Sequence, residues 1–186
     1  MNKDINIQGV VLKTPRLVLR AFEYSDLNDL YEYAKVDGVG EMAGWSHHTS
    51  IDFSREILAK FINGKITFAI CIEGKVVGSI GIEKYNEDLL TEVNDLLGRE
   101  LGFVLSKDYW GMGITAEACL AVIDYLFNIE GLDFIACSHF KSNLQSKRVQ
   151  EKLGFKFLKD FKYETRYNTI EESQYNILYN PNKYNL

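Results

Sequence analysis

The chain of 186 residues contains two prolines, three cysteines and three histidines. So few prolines exclude a proline-rich linker or a polyproline stalk. Cys71, Cys119 and Cys137 lie inside apolar runs at no metal-like spacing, and an odd number cannot pair fully within one chain, which predicts buried free thiols in a reducing cytoplasm. His47 and His48 are adjacent, which is not the spacing of a zinc pair, and no third ligand accompanies them, so no metal is expected. Nowhere does the sequence hold the roughly eighteen consecutive apolar residues of a membrane span, and "MNKDINIQGV" carries no cleavage-like pattern; neither export nor insertion is expected. Basic residues are outnumbered, 21 Lys and Arg against 26 Asp and Glu, for a net charge of -5, which argues against a nucleic-acid partner.

What is present is the composition of a folded protein, 46% hydrophobic and 25% charged, with a length that predicts one domain over residues 1–186. "RLVLRAF" alternates like a half-buried strand after Pro15. Ser25 can cap a helix on which Leu27, Leu30, Tyr31 and Ala34 fall at helical spacing, ending near Gly38, and Thr49 or Ser50 a second from Ile51 to Ile62, stopped at Gly64. "ITFAICIE" and "VVGSIGIEKY", joined at Gly74-Lys75, read as a hairpin, and "ELGFVLS" as the next strand. Helix 115–128, strand "DFIACSHF", helix 143–153 and strands "FKFLKDFKYE" and "SQYNILYN" complete a β-α-α-β-β-β-α-β-α-β-β order. The predicted fold class is α/β (α+β), a mixed, mostly antiparallel twisted sheet of about seven strands with helices on both faces.

The stretch "SKDYWGMGITAEA" sets Gly111 and Gly113 between an apolar strand and a helix. Such a junction exposes free backbone N–H groups at the positive end of the helix dipole, and its bare backbone lets an anion come close, so the natural guest is a phosphate. There is no Gly-Lys-Ser/Thr of a P-loop and no third glycine of a Rossmann fingerprint. Further along, "FKSNLQSKRVQEKLGF" follows a strand, begins at the capping residue Asn143 and stops at Gly154.

In that order and spacing the two segments resemble the GNAT superfamily of acetyl-CoA-dependent N-acetyltransferases. "YWGMGITAEA" resembles its pyrophosphate loop and following helix in the branch of the ribosomal-protein acetyltransferases RimJ and RimL, and "NLQSKRVQEKLGF" that branch's N-x-x-S-x-x-x-x-x-K-x-G-F segment. "TPRLVLRAFEYSDLNDLYEYA" and "RELGFVLSKDYW" fit it as well, so the resemblance spans about residues 14 to 180. Two positions depart from the pattern: Trp110 stands where many members have Gln or Arg, and Gln150 where many have a catalytic Tyr.

The resemblance implies a fold, acetyl-CoA as co-substrate, and direct attack of an amine on the thioester. It implies cofactor contacts from Trp110, Gly111, Met112, Gly113, Ile114 and Thr115 in the loop, from backbone groups of Phe103, Val104 and Leu105, and from Asn143, Ser146 and Arg148. Glu100 is the candidate base, directly or through a water, with a solvated strand-end glutamate beside Arg99 as the alternative. Ser146 is the candidate hydrogen-bond donor to the leaving thiolate, or else a solvent-facing helix serine. Asn143 can be a cap, a pantetheine contact or both. The loop "GEMAGWSHHTS" resembles the acceptor-side loop, which nominates Trp45, His47 and His48 for the substrate pocket. Cys119 is expected to be packing, Glu117 to fix the loop, and of Lys141, Lys147, Arg148 and Lys152 only Arg148 or Lys147 is a candidate for the 3′-phosphate.

The expected activity is transfer of acetyl to the α-amine of a protein or peptide in the cytoplasm, by a monomer or homodimer with no membrane or nucleic-acid partner. The alternatives are acetylation of a small amine, such as an amino acid, polyamine or drug, and an acyl-CoA-binding module without turnover.

Overall fold

A computed structural model describes residues 1–184 of the chain. Eight strands form one sheet: β1 (Val11–Lys13), β2 (Val18–Ala21), β3 (Thr67–Ile72), β4 (Lys75–Glu83), β5 (Gly98–Leu105), β6 (Phe134–Phe140), β7 (Lys156–Glu164) and β8 (Ile170–Tyr179). Four α-helices join them: α1 (Leu27–Ala34), α2 (Ile51–Gly64), α3 (Ile114–Asn128) and α4 (Leu144–Lys152). The strand order is β1-β2-β3-β4-β5-β6-β8-β7. Every neighbouring pair is antiparallel except β5 and β6.

The architecture is the mixed, mostly antiparallel sheet expected, with one strand more than the sequence shows. That strand, β1, has only three residues, with Val11 exposed, and is held by pairing with Arg20, Leu19 and Val18 of β2. Four local boundaries also differ. The first helix ends at Ala34, with Lys35 as its C-cap, rather than near Gly38. A capping box between Glu23 and Asp26, not Ser25, opens the 3-10 turn before α1. Ser50 caps α2 as expected, its hydroxyl accepting from the Phe53 amide at 3.1 Å, but Gly64 stays helical and Lys65 makes the left-handed exit. The β3–β4 hairpin turns on Glu73-Gly74, both at positive φ, one residue earlier than expected.

Central strands β3 and β4 are buried on both faces, as helices covering both sides of a sheet require. Phe68, Ile70, Ile80, Leu101 and Leu105 pack with Ala118, Cys119 and Val122 of α3 in one core. Ala69, Cys71 and Val76 pack with Leu30, Ala34 and Leu58 of α1 and α2 in another. Cys119 is therefore packing, and the three cysteines are free and buried. Among the described residues no helix is long and apolar enough to cross a membrane.

One topological feature positions the site. β5 and β6 pair only over Gly98–Glu100 with Phe134–Ala136. Beyond that point β5 follows β4 to Leu105, and β6 follows β8 to Phe140. The sheet therefore opens into a V between Leu101–Leu105 and Cys137–Phe140. In an antiparallel pair, alternate residues turn their backbone groups away from the partner, so the edge of β5 offers N–H and C=O groups to this gap.

Candidate active site

The V is the floor of a cleft of about 520 Å³. It is lined by Glu100 to Leu105, by Tyr109, Trp110, Gly111, Gly113, Ile114 and Thr115, by Cys137 to Phe140, and by Asn143, Ser146 and Arg148. Val39, Met42, Ala43, Tyr163 and Ser173 close its other end. Most residues nominated for the cofactor thus meet in one place.

At one end the chain leaves β5, makes a 3-10 turn over Lys107–Tyr109 and enters α3 through Gly111 and Gly113, at φ 78° and 75°. Those left-handed values are costly for residues with a Cβ. A Cβ added at Gly111, an exposed residue of the cleft lining, would meet nothing within 4 Å. The first amides of α3 lack intrahelical partners, so this end has the backbone donors and the dipole that hold a phosphate. Trp110 seals the turn, its Nε1 donating to the Leu105 carbonyl at 2.9 Å. Glu117 braces the loop as expected: it accepts from Thr14 Oγ1 at 2.6 Å and Arg16 Nε at 2.7 Å, and Arg16 also donates to the Met112 carbonyl at 3.0 Å. Burial pushes the Glu117 carboxyl up, but the hydrogen bonds from Thr14 and Arg16 outweigh it and hold the group below its usual range. The Met112 side chain turns outward, into a neighbouring groove with Val11 to Arg16, so what Met112 offers the cleft is backbone. Lys107 is turned away too: its ammonium donates to the Asp37 carbonyl and lies 5.6 Å from the Trp110 ring centroid.

Glu100 stands at the apex of the V. Leu101 and Leu105 of β5 face α3, so Glu100, Gly102 and Val104 face the side of α1 and α2. The carboxylate accepts from Ser138 Oγ at 2.6 Å and from the Tyr175 hydroxyl at 3.0 Å. Burial raises its pKa above the ordinary value; the two hydrogen bonds lower it, and the charge of Glu83, opposite in the β4–β5 register, adds to the rise. Tyr175 is held protonated by burial and by the Glu100 charge, and stacks on Phe161 with ring centroids 4.3 Å apart. The solvated strand-end alternative does not describe this carboxylate.

On the far wall, Asn143 caps α4, its Oδ1 accepting from the Ser146 amide at 3.0 Å, while its Nδ2 donates to the Met42 carbonyl at 3.2 Å. One amide hydrogen of Asn143 is left for a ligand. Ser146 is half-buried in the cleft wall, and its Oγ accepts from Gln150 Nε2 at 3.1 Å. Arg148 lies exposed on the rim, whereas Lys147 faces Glu151 and Lys141 pairs with Asp160 at 2.9 Å.

The acceptor-side loop differs most from expectation. Val39, Met42 and Ala43 line the cleft, and Trp45, His47 and His48 do not. Trp45 folds back over Gly40 onto the core of α1 and α2. His47 pairs with Glu41 at 3.0 Å, near the surface. His48 is buried, with Nδ1 2.7 Å from Ser54 Oγ and its ring against Trp45 and Phe53. Burial, and secondarily the neighbouring His47, lowers the His48 pKa from 6.5 to about 4. Between those values the unfolded chain binds a proton that the folded chain excludes, so stability is lost as pH falls through this window. A melting series from pH 6.5 down to about 4 should show Tm falling, with a shallower fall in His48→Gln. Identical slopes would show that His48 does not titrate on unfolding.

The residues missed from sequence are Ser138, Tyr175, Val39, Met42, Ala43 and Tyr163. Ser138 interrupts the apolar run of β6, the one local hint among them; the others depend on long-range pairing.

Taken together, the two-glycine turn at the start of α3, a slot that exposes one strand edge, and a hydrogen-bonded carboxylate at the apex form a cleft with room for a long ligand and a titratable group beside it. The chain belongs to the GNAT acetyltransferases: the family described as acetyltransferase (GNAT) domain matches residues 16–156. It is 25% identical over 147 residues to the uncharacterized N-acetyltransferase YnaD of Bacillus subtilis strain 168, covering 78% of this chain and 82% of that protein. Its fold matches the crystal structure of a GNAT-family acetyltransferase from Bacillus anthracis with a TM-score of 0.79 at 23% identity, over 92% of this chain and 99% of that one. It matches a ribosomal-protein-S5-alanine acetyltransferase from Vibrio fischeri with a TM-score of 0.71 at 18% identity, over 92% and 97% of the two chains. The chain is thus an N-acetyltransferase of this family.

Proposed function

We propose that the chain acts in the cytoplasm, as a single domain and a monomer or homodimer, to transfer acetyl from acetyl-CoA to a primary amine by direct attack, with Glu100 as base. The observation that carries this reading is the Glu100 carboxylate at the apex of the V, raised in pKa and held by Ser138 and Tyr175. The loop at Gly111 and Gly113 and the first turn of α3 supply donors for the diphosphate, the edge of β5 supplies backbone groups for the pantetheine arm and the thioester carbonyl, and Arg148 stands where a terminal phosphate can be met. The amine nitrogen bonds to the carbonyl carbon and gives its proton to Glu100, directly or through a water. The C–S bond breaks with its electron pair on sulfur, and Ser146 donates a hydrogen bond to that thiolate. Ser146→Ala is expected to lower kcat about tenfold, the worth of one hydrogen bond realised in the transition state; unchanged turnover would remove Ser146 from the mechanism.

For the acceptor, the α-amine of a protein or peptide is the first reading, in line with the RimJ/RimL-like motifs and the fold shared with a ribosomal-protein acetyltransferase. One feature favours the small-amine reading. The acceptor-side loop is strapped across the cleft, from Met42 to Asn143 at 3.2 Å and from the Gly44 carbonyl to the Arg166 amide at 2.9 Å, with Tyr167 donating to Glu41 at 3.2 Å. These bridges tie the loop down over the acceptor end of the cleft, which suits a small amine better than the end of a folded protein. The test is CoA release across peptides with free N-termini, amino acids, polyamines and aminoglycosides. Turnover confined to peptides supports the first reading, turnover confined to small amines supports the second, and acetyl-CoA binding without turnover of any of them favours a binding module.

A further inference from the structure

The geometry points to Gln150 as a positioning residue that aims the Ser146 hydroxyl at the leaving thiolate, an inference that rests on the role proposed for Ser146. Ser146 and Gln150 are four apart on α4 and share one face. Gln150 is fully buried and all its principal hydrogen-bonding capacity is spent: Nε2 donates to the Ser138 carbonyl and to Ser146 Oγ, both at 3.1 Å, and Oε1 accepts from Asn176 Nδ2 at 2.7 Å. A flipped amide would set oxygen against the Ser138 carbonyl and nitrogen against the Asn176 amide, so Asn176 fixes which end of Gln150 faces Ser146.

The consequence is directional. A hydroxyl has one hydrogen, and a helix serine often loses it to the carbonyl one turn back. Here Ser146 Oγ is already an acceptor, which strengthens it as a donor, and no acceptor among the described residues takes its hydrogen. Because Ser146 lines the cleft, that hydrogen is free for the thiolate.

The network reaches both ends of the reaction. The Ser138 carbonyl accepts from Gln150, while the Ser138 hydroxyl donates to Glu100. Tyr175 and Asn176 are neighbours on β8 and face opposite sides of the sheet, one holding Glu100 and the other Gln150. Two adjacent residues of one strand thus anchor the proposed base and the proposed thiolate donor.

The test is a double-mutant cycle of Gln150→Met with Ser146→Ala, reading kcat, KM for the amine and calorimetric Kd for acetyl-CoA. Gln150→Met is expected to lower kcat about five- to tenfold with Kd for acetyl-CoA within about twofold, and to have no further effect on kcat in the Ser146→Ala background. Should Gln150→Met not fold, Asn176→Ala, which frees the amide to turn, takes its place with a smaller loss that again vanishes without the Ser146 hydroxyl. Losses that multiply in the double variant, or an unchanged kcat in the Gln150 or Asn176 variant, overturn the positioning role and leave the Ser146 reading intact. An unchanged kcat in Ser146→Ala alone overturns both, and is recognisable as the failure of the Ser146 reading.

Discussion

Replacing Glu100 by glutamine is expected to lower kcat/KM by about 10²- to 10³-fold and, at neutral pH, to make the protein more stable. The first effect follows from removing the base in a reaction whose amine must lose a proton, a contribution typically of this size. The second follows from the direction of the pKa shift. Burial raises the Glu100 carboxyl above its ordinary value of 4.5, so the folded chain holds the proton at pH values where the unfolded chain has released it. In that window stability falls as pH rises, and above it the charged carboxylate is a standing cost to the fold. Glutamine keeps the shape, still accepts from Ser138 or Tyr175, and carries no charge to desolvate. Activity has the opposite sign: kcat/KM falls as pH drops through the raised pKa, because the base is then protonated. The paired measurement is kcat/KM and Tm against pH for both proteins. A mutant with full activity and the wild-type acid limb would show that Glu100 is not the base; a mutant that melts lower at neutral pH would show that the carboxylate is stabilising and its pKa not raised.

Gly111→Ala is expected to leave a folded protein that binds acetyl-CoA and CoA about 10- to 100-fold more weakly. The folding cost is about 1 kcal/mol, that of putting a Cβ on a left-handed residue, or a few degrees in Tm. No collision adds to it, because the new methyl meets no protein atom within 4 Å. In the binding mode proposed above the diphosphate sits against this loop and the first turn of α3, so the methyl would stand between donors and diphosphate and forfeit charge-assisted hydrogen bonds. Calorimetry with acetyl-CoA and a kinetic comparison with acetyl-N-acetylcysteamine separate the two effects. The truncated thioester has no phosphate, and its kcat/KM should be nearly unchanged. Equal losses with both ligands would mean that the substitution distorts the whole cleft; no loss with either would mean that the diphosphate binds elsewhere.

What was legible in the sequence is what short segments determine. The Gly111 and Gly113 turn, the Asn143 cap, the Ser146 and Gly154 spacing, and the alternation that puts Glu100 opposite Leu101 are local, and the structure brings Gly111, Gly113, Asn143, Ser146 and Glu100 to one cleft. What was not legible is decided by contacts far apart in the chain. β1 is three residues that read as loop until β2 pairs with them. Tyr175 lies 75 residues from Glu100, and Asn176 26 from Gln150. The acceptor-side loop is where sequence and structure differ most: Trp45 packs on the α1 and α2 core and His48 on Trp45 and Phe53, while Met42 and Ala43, which carry no local signal, line the cleft beside the core residue Val39. Gln150 reads from sequence only as a departure from the family pattern, and the role proposed for it rests on Ser138 and Asn176, partners that only the fold brings to it.

The most direct test of the central claim is single-turnover release of CoA thiol from acetyl-CoA bound to the wild-type protein, in the presence and absence of an amine acceptor found by the panel. Release that requires the acceptor, appears together with acetylated amine in equal amount, and slows as pH falls through the raised Glu100 pKa is the predicted result. Burst release without acceptor, leaving acetyl on the protein, would contradict direct attack and replace it with a covalent intermediate.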